Sequence, residues 1–572
     1  MKLLRKVAVG VVLFAGLLSP AQAQTGADVP PGLASALLAG RVAVTDDNFA
    51  QMALNYDRAL QVSPDNPGFL DLALQGHLLA GNFERAAELA AQVAADAPGA
   101  QVAGVVLQAD EFLRGAYGAV IGAAEAGRLT GPLTDAVSVA WAHLGEGRMS
   151  DALAAFDAAI TERPEIAPFA IYHKALALAL VGDLEGAADL LTGEVAGPVS
   201  LTRRGVLAHI AILSQLGRFD EAQTLGAEMF GSSPDEDVAR LMQAVTDGQA
   251  VPFDTVRSAA DGMAEAYLLL SSALLNNDGD WLPLIYARLA LALRPDHPDA
   301  ILLAGQLLEQ MGQYDLAKQI YSQMPSTSPQ YLNAQLATGT VMQRAGDADG
   351  AEALLKQLIA DRPNSVLALS ALGDLMRREE RFTDASDAYA RAIELLPEVE
   401  SRHWPLLYTY AISLERQGAF DRAEPVFRQA LEFVPDNPQV LNYLGYSLIE
   451  AGRNLEEALD MIERAVEGEP DSGYITDSLA WALFRLGRYD EALPVMERAV
   501  ELMPTDPILN DHLGDVYWAV GRAREARFQW SRALSFAPHP DLSIERVRRK
   551  LEVGLDIVQE EEGAPPLASV GQ

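Results

Sequence analysis

Eight histidines are the first candidates for chemistry in this chain: His77, His143, His173, His209, His297, His403, His512 and His539. No two of them are three or four residues apart, the spacing that places two imidazoles on one helix face around a shared metal ion. His77 and His143 each stand four residues before a glycine, at a place that usually packs a large side chain. We therefore predict packing for this pair and no metal site.

Cysteine and two motifs of nucleophilic and phosphate chemistry are also missing from the sequence. There is no cysteine, so no thiolate nucleophile, disulfide or cysteine-ligated zinc can form. The glycines recur singly, with no phosphate-binding loop and no Gly-x-Ser-x-Gly elbow. Asp511 and Asp515 are one helical turn apart and could hold a cation or a basic side chain, the alternative being a solvated helix face. These observations predict a chain that is not an enzyme and that holds no cofactor.

The net charge limits the kinds of molecule that the chain is expected to bind. Lys and Arg number 43 against 79 Asp and Glu, a formal net charge of −36. Such a field repels phosphate backbones, so nucleic acid is not an expected partner. The acidity either serves solubility alone or attracts basic proteins.

The first residues form a pattern typical of secretory signal peptides. Lys2, Arg5 and Lys6 precede an apolar run over 7–18, and Ala21 and Ala23 supply the small side chains of a cleavage site. An uncleaved anchor is the alternative. The later sequence contains no stretch of 18 apolar residues free of charge, so no transmembrane span is expected in the mature chain.

A fixed spacing organises the rest of the chain. Pro470, Pro504 and Pro538 lie 34 residues apart, and a pattern of small residues accompanies each of them. Gly487 suits a tight turn between two helices, while Gly514 and Ala526 suit close approach of their backbones. The pattern predicts an all-α, right-handed superhelical solenoid of about fourteen helix-turn-helix repeats, some degenerate.

The repeats divide the chain into segments. A signal peptide over 1–23 and a flexible leader over 24–32 precede an N-terminal array over 33–234. The pattern weakens over 235–262, which is an irregular repeat or a hinge. Then follow a C-terminal array over 263–540, a capping helix over 541–558 with its apolar residues on one stripe, and a disordered acidic tail over 559–572.

The repeat pattern identifies the chain as similar to the tetratricopeptide-repeat (TPR) family over most of residues 34–540. The segments LNYLGYSLIEAG, DSLAWALFRLGRYDEAL and DHLGDVYWAVGRAREARFQWSRAL also resemble exported TPR proteins of Gram-negative bacteria. That resemblance implies a periplasmic location, with the outer membrane as a further expectation. One departure is an extra residue between Gly452 and Ala458, which predicts a bulged turn.

In TPR arrays the first helices of successive repeats line a concave groove. Projecting this frame onto the last repeats gives nine candidate protein-binding residues at helical spacing: Asn442, Tyr446, Glu450, Asp477, Trp481, Arg485, Asp511, Asp515 and Trp518. Aromatic and acidic side chains together suit a protein or peptide with basic and apolar groups. For Trp481 groove exposure and packing between repeats are equally open, and for Trp518 packing is favoured.

Three hypotheses about function follow from the sequence. The leading hypothesis is a non-catalytic periplasmic scaffold or adaptor that holds a partner in the groove. The second is a structural subunit of an envelope assembly that uses the convex face or the ends of the solenoid. The third is an enzyme regulator, or an enzyme with a site that the sequence does not reveal.

Overall fold

The computed structural model of the protein describes residues 32–97, 99–128, 130–195, 197, 199, 201–231, 236–275, 281–536, 539, 541–563 and 567. The regular structure in these ranges is entirely helical, with no strand among them. The predicted all-α solenoid class is thereby confirmed. The predicted signal peptide, most of the leader and Pro538 lie outside the described residues.

The chain forms two compact units, Met1–Val341 and Met342–Gln572. The helices of the first unit, the last of which ends just past Val341, are α1 Leu33–Thr45, α2 Phe49–Val62, α3 Pro67–Ala80, α4 Phe83–Asp96, α5 Gln101–Leu113, α6 Tyr117–Glu125, α7 Pro132–Gly145, α8 Met149–Glu162, α9 Ala167–Leu180, α10 Leu184–Leu191, α11 Arg203–Gln215, α12 Phe219–Phe230, α13 Glu236–Thr246, α14 Ala259–Ala273, α15 Leu282–Leu293, α16 Pro298–Gln310, α17 Tyr314–Tyr321 and α18 Tyr331–Arg344. A single 3₁₀ turn, Pro164–Ile166, precedes α9.

The second unit continues the same alternation of first and second repeat helices. Its helices are α19 Ala348–Asp361, α20 Val366–Arg378, α21 Phe382–Glu394, α22 Trp404–Arg416, α23 Phe420–Phe433, α24 Pro438–Glu450, α25 Leu455–Gly468, α26 Gly473–Arg485, α27 Tyr489–Leu502, α28 Pro507–Ala519, α29 Ala523–Ala533, α30 Ile544–Val553 and α31 Leu555–Glu561. A 3₁₀ turn, Ser401–His403, precedes α22.

The turn inside each repeat needs one residue with left-handed backbone. Gly487 has φ 75°, as expected for the glycine that ends the first helix. Where the repeat has no glycine at this place, Glu380 takes the same conformation with φ 57°. The extra residue after Gly452 is absorbed at Asn454, whose φ of 47° starts the second helix from a left-handed residue. Asparagine tolerates this conformation better than most residues do.

The small residues of the repeat mark points where a second helix leaves no room. A Cβ built on Gly514 would lie 2.4 Å from the indole of Trp530, which is itself fully buried. A Cβ on Gly373 would come within 2.5 Å of Tyr389. The aromatic ring of the second helix therefore fills the volume that a side chain on the first helix would otherwise occupy, which ties the two helices of a repeat together.

Helices α14 and α15 give the first unit a packing that a simple stack of repeats lacks. They lie against the first helices α3, α5, α7 and α9 of earlier repeats. A Cβ on Gly262 would sit 2.4 Å from the ring of Trp141 on α7. The hydroxyl of Tyr267 donates to Gln108 Oε1 on α5 at 2.9 Å. The array thus turns back on itself, and its own α14 and α15 cover the first helices.

Polar side chains fix this self-packing at several points. Arg288 donates from Nε to the carbonyl of Leu79 at 3.0 Å, and Trp281 donates from Nε1 to Asp47 at 3.0 Å. Glu265 on α14 is fully buried and accepts from Nε of Arg204 at 2.8 Å. Burial alone would raise the pKa of Glu265, but the Arg204 guanidinium and the hydrogen bond with His297 hold that pKa well below its usual range.

The C-terminal cap differs from the expected single helix over 541–558. It consists of α30 and α31, separated by Gly554 with φ 93°. A Cβ at Gly554 would lie 2.2 Å from the ring of Trp518, so glycine permits both the break and the close contact. Residues 559–561 of the expected tail belong to α31, while 564–566 and 568–572 lie outside the described residues.

The two-unit division falls between Val341 and Met342, whereas the sequence pattern weakens at 235–262. In that weak segment α13 is followed by an irregular stretch up to α14. A hinge there stays a prediction. None of the helices in the described residues is long and apolar enough to cross a lipid bilayer.

Candidate protein-binding groove

The nine candidate residues fall on three first helices of the second unit, as the repeat frame predicts. Asn442, Tyr446 and Glu450 lie on α24; Asp477, Trp481 and Arg485 on α26; Asp511, Asp515 and Trp518 on α28. We call the face formed by the first helices α20, α22, α24, α26 and α28 the groove. The nine candidate side chains differ widely in exposure. This difference separates an open part of the groove, centred on Trp481, from a covered part that contains Asp511, Asp515 and Trp518.

Trp481 is the centre of the open part. Its ring stacks between Phe484 and His512, with centroid distances of 4.9 and 4.1 Å and interplanar angles of 12° and 15°. Its Nε1 donates to Glu450 Oε1 at 2.8 Å, and Arg485 donates to the same oxygen at 2.9 Å. The indole therefore both packs between repeats and shows part of its surface, and neither reading of Trp481 excludes the other.

Asp477 is buried and paired within the chain. Its carboxylate lies 3.0 Å from Nδ1 of His512. Burial by itself lowers the pKa of His512, but Asp477, with Asp511 and Asp515 behind it, raises the pKa above its ordinary value. The expected role of Asp477 as a free acidic group in the groove therefore does not match its surroundings, because its carboxylate is already paired with His512.

Asp511 and Asp515 form ion pairs with the C-terminal cap. Nζ of Lys550, a fully buried side chain of α30, lies 2.8 Å from Oδ2 of each carboxylate. Trp530 donates from Nε1 to the other oxygen of Asp515 at 2.8 Å. Burial raises the pKa of Asp515, with Lys550 opposing that shift. The pair does hold a basic side chain, but that side chain belongs to the chain itself.

Trp518 belongs to the same covered part. Its Nε1 donates to Asp556 of α31 at 3.1 Å, and its ring lies 5.5 Å from that of Trp530. While α30 and α31 are docked, Asp511 and Asp515 are not available to a partner, and the Nε1 of half-buried Trp518 is already bonded to the cap. Sequence reasoning missed this because the cap was expected to cover apolar surface, whereas Lys550 also reaches the acidic positions of α28.

The open part of the groove includes side chains that the sequence frame did not select. Tyr474 on α26 is 56% exposed and Leu367 on α20 is 50% exposed. Tyr474 stands three residues before Asp477, on the same stripe of α26, which is the signal that could have identified it. Together with half-buried Tyr446, they present apolar surface to a partner.

Asn442 adds a polar group with spare bonding capacity. Its side-chain oxygen is buried and has no hydrogen-bond donor among the described residues. Buried polar atoms of this kind are usually satisfied, so this oxygen is an exception within the second unit. The pKa of nearby Tyr446 is raised by burial and by the negative charge of Glu450, so its hydroxyl stays a donor.

The buried histidines pack within the repeats, and some of them also form hydrogen bonds. His77 lies 2.8 Å from Asp57, and Trp141 donates from Nε1 to Nδ1 of buried His173 at 3.3 Å. Burial lowers the pKa of both His173 and His209 to about 4. In the described part of the chain, no three or more His, Asp or Glu side chains come together as metal ligands.

Comparisons with known proteins agree with the repeat pattern. Three tetratricopeptide-repeat family models match residues 285–338, 333–365 and 361–535. A TPR repeat-containing protein of Pseudomonas aeruginosa is 34% identical over 83 residues, which are 14% of this chain and 14% of that protein. The match thus spans about a seventh of the relative's length.

Solved structures with similar helical arrays were also found. The yeast Tom70 structure aligns at 15% identity over 93% of this chain and 96% of that chain, with a TM-score of 0.33. The Cut9–Hcn1 hetero-tetramer of APC/C aligns at 16% identity over 80% and 96%, with a TM-score of 0.38. A Parabacteroides merdae tetratricopeptide repeat protein aligns at 15% identity over 45% and 98%, with a TM-score of 0.37.

The family matches, the turn residues and the helix contacts agree with one another. Tetratricopeptide-repeat models match residues 285–535 of this chain, and this segment folds as successive helix-turn-helix pairs.

Proposed function

We propose that this protein is a non-catalytic scaffold of the bacterial periplasm, which holds a protein or peptide in the open part of the groove on α20–α26. Arrays of this repeat use extended concave surfaces to bind other proteins. The observation that carries the proposal is the contrast between the two units. In the first, α14 and α15 cover the first helices α3, α5, α7 and α9, whereas in the second Leu367, Tyr474, Glu450 and Arg485 remain exposed.

The open part offers two kinds of contact to a partner. Trp481 and Tyr474 provide aromatic surface, which is enriched at the energetic centres of interfaces. Glu450 and Arg485 pair with each other while 42% and 39% of their side chains are exposed, so a partner's charge can replace either one. The net charge of −36 steers basic partners toward the protein.

The proposed location rests on the N-terminal sequence. The charged start, the apolar run and the small-x-small ending of residues 1–23 direct export, and a cysteine-free chain suits an oxidising compartment. Fractionation of cells that express the full chain tests this part separately. Recovery of an unprocessed protein in the cytoplasm would contradict it.

The groove is tested by crosslinking in cells, followed by capture from the envelope fraction. Trp481→Ala removes the central aromatic surface and should lose the partner. Phe528→Ala is the matched control, since Phe528 is 61% exposed but lies on the second helix α29, away from the groove. Retention of every partner by Trp481→Ala, and loss by Phe528→Ala, would favour a structural subunit that uses the outer face.

A further inference from the structure

The C-terminal cap, formed by α30 and α31, covers one end of the groove and fills it with a basic side chain. Lys550 stands on the apolar stripe of α30, beside Val547 and Leu551, and is fully buried. Its Nζ lies 2.8 Å from Oδ2 of both Asp511 and Asp515 on the first helix α28. The occupant of this end is therefore an amphipathic helix with one lysine on its apolar face.

The open part of the groove continues directly into the covered end. The ring of Trp481 on α26 stacks on that of His512 on α28, with the ring centroids 4.1 Å apart. The charges of Asp511 and Asp515 help to raise the pKa of His512, so the acidic pair lies close behind this stack. A partner seated on α26 needs only a short extension to reach the positions that Lys550 fills.

The cap neutralises the acidic pair only in part. Asp511 and Asp515 are two buried carboxylates that share one ammonium group, and the next cation of α30, Arg546, places its Nη1 3.8 Å from Asp515. Oδ1 of Asp511 is buried and accepts no hydrogen bond among the described residues. An unsatisfied buried oxygen is unfavourable, so docking of the cap stabilises the protein less than a fully paired contact would.

Ion pairs within the cap hold its two helices together. Arg546 donates to Glu562 at 2.9 Å, and Arg549 donates to Glu561 at 2.6 Å, which joins α30 to α31. All four side chains are partly exposed, so these pairs do not depend on burial against α28. The cap can leave α28 as one element, and only its contacts with the last repeat have to be exchanged.

We propose that α28 is a docking site for a partner helix with a lysine on its apolar face, and that the cap competes with this helix for Asp511 and Asp515. The cap is then an autoinhibitory contact. A partner that also packs on Trp481 gains contacts beyond α28, which offset the advantage that covalent attachment gives to the cap. The inference rests on the proposed function of the adjoining open part, and it adds the chemistry of the partner.

A labelled peptide that copies residues 541–562 tests the site on the full chain by fluorescence anisotropy. Two variants weaken the cap. Lys550→Met removes the cation, whereas Gly554→Ala places a Cβ 2.2 Å from the Trp518 ring and keeps Lys550 and both aspartates. Both variants should bind the peptide saturably and at least about tenfold more tightly than the wild-type chain does. Lys356→Met, at an exposed surface lysine, is the matched control and should behave as the wild-type chain.

A second peptide, with methionine in the place of Lys550, tests the need for the cation. It should bind both weakened variants at least about tenfold more weakly, because a hydrogen bond to a charged group is lost. Equal affinity of the two peptides would overturn the proposal. The absence of binding by both weakened variants would overturn it as well.

Hydrogen exchange shows whether the peptide displaces the cap of the wild-type chain. With the lysine peptide at about a hundred times its Kd for the Gly554→Ala chain, amides of α30 and α31 should exchange at least about tenfold faster. Unchanged exchange there would show that the cap is a fixed part of the fold, against the proposal.

The peptide experiments and the in-cell capture fail independently. Peptide competition without any partner that depends on Trp481 would contradict the proposed function alone. A Trp481-dependent partner without peptide competition would contradict the autoinhibitory cap alone.

Discussion

Nζ of Lys550 lies 2.8 Å from the Asp515 carboxylate, and both side chains are completely buried. Taking two charges out of water is costly, so each of them depends on the other. Asp511 accepts from the same ammonium group at 2.8 Å. The contact joins α30 to α28 and so fixes the C-terminal cap over the last repeat.

Replacing Lys550 by methionine should destabilise the last repeat by about 3–5 kcal/mol, because two carboxylates are left buried without a cation. Hydrogen exchange of the α28 amides measures this loss locally. Lys356→Met is the matched control, since the Lys356 side chain is 64% exposed and its pair with Glu352 is a surface one. Adding Asp515→Asn to Lys550→Met should restore part of the loss. Unchanged exchange in Lys550→Met would contradict the assigned role.

The packing of α14 on α7 is tested at a glycine. Gly262→Ala should cost about 1–3 kcal/mol, because its Cβ would lie 2.4 Å from the Trp141 ring and force the helices apart. Gly122→Ala on α6 meets no atom within 4 Å and should be neutral or stabilising by up to about 1 kcal/mol. Urea denaturation of both variants gives the comparison. Equal midpoints would mean that α14 does not press on α7.

Acid should destabilise the first unit through His209. Its two ring nitrogens are buried without partners among the described residues, and burial, helped by Arg218, lowers its pKa to about 4 from 6.5. Because the pKa of His209 is lower in the folded state, its contribution to the free energy of unfolding is fully present above pH 6.5. This contribution is lost as the pH drops toward 4. His209→Leu should remove up to roughly 3 kcal/mol of this pH dependence. Thermal unfolding of the variant and the wild-type protein across this pH range measures the effect. Parallel pH profiles for the two proteins would argue against the prediction.

The second unit should show the opposite trend at His512. Asp477 raises the His512 pKa in the folded state, so the charged pair stabilises fully below pH 6.5 and this contribution is lost as the pH rises through the folded-state pKa. His512→Gln should therefore destabilise α26 and α28 more at acidic than at alkaline pH. Local hydrogen exchange at two pH values measures the difference. A loss that is independent of pH would indicate that His512 contributes through stacking on Trp481 alone.

Much of the local structure was predictable because the repeat encodes contacts between neighbours. The glycine at a turn, as at Gly487, and the small residue opposite a ring, as at Gly514 and Trp530, are both visible in the spacing. Each follows from sterics between residues less than one repeat apart, and such short-range constraints recur at a fixed period. The helix pairs and the positions of the nine candidate residues on first helices follow from the same period.

The availability of those residues was decided only by tertiary structure. Asp511 and Trp518 lie on the predicted face, yet Lys550 and Asp556 from beyond the last repeat occupy them. In the first unit, Trp281 reaches Asp47 across 234 residues of sequence and helps to cover the first helices. The period of the sequence pattern reflects only how each repeat packs on the next one. It carries no information about contacts between distant repeats, which depend on the accumulated geometry of the array and on single buried side chains.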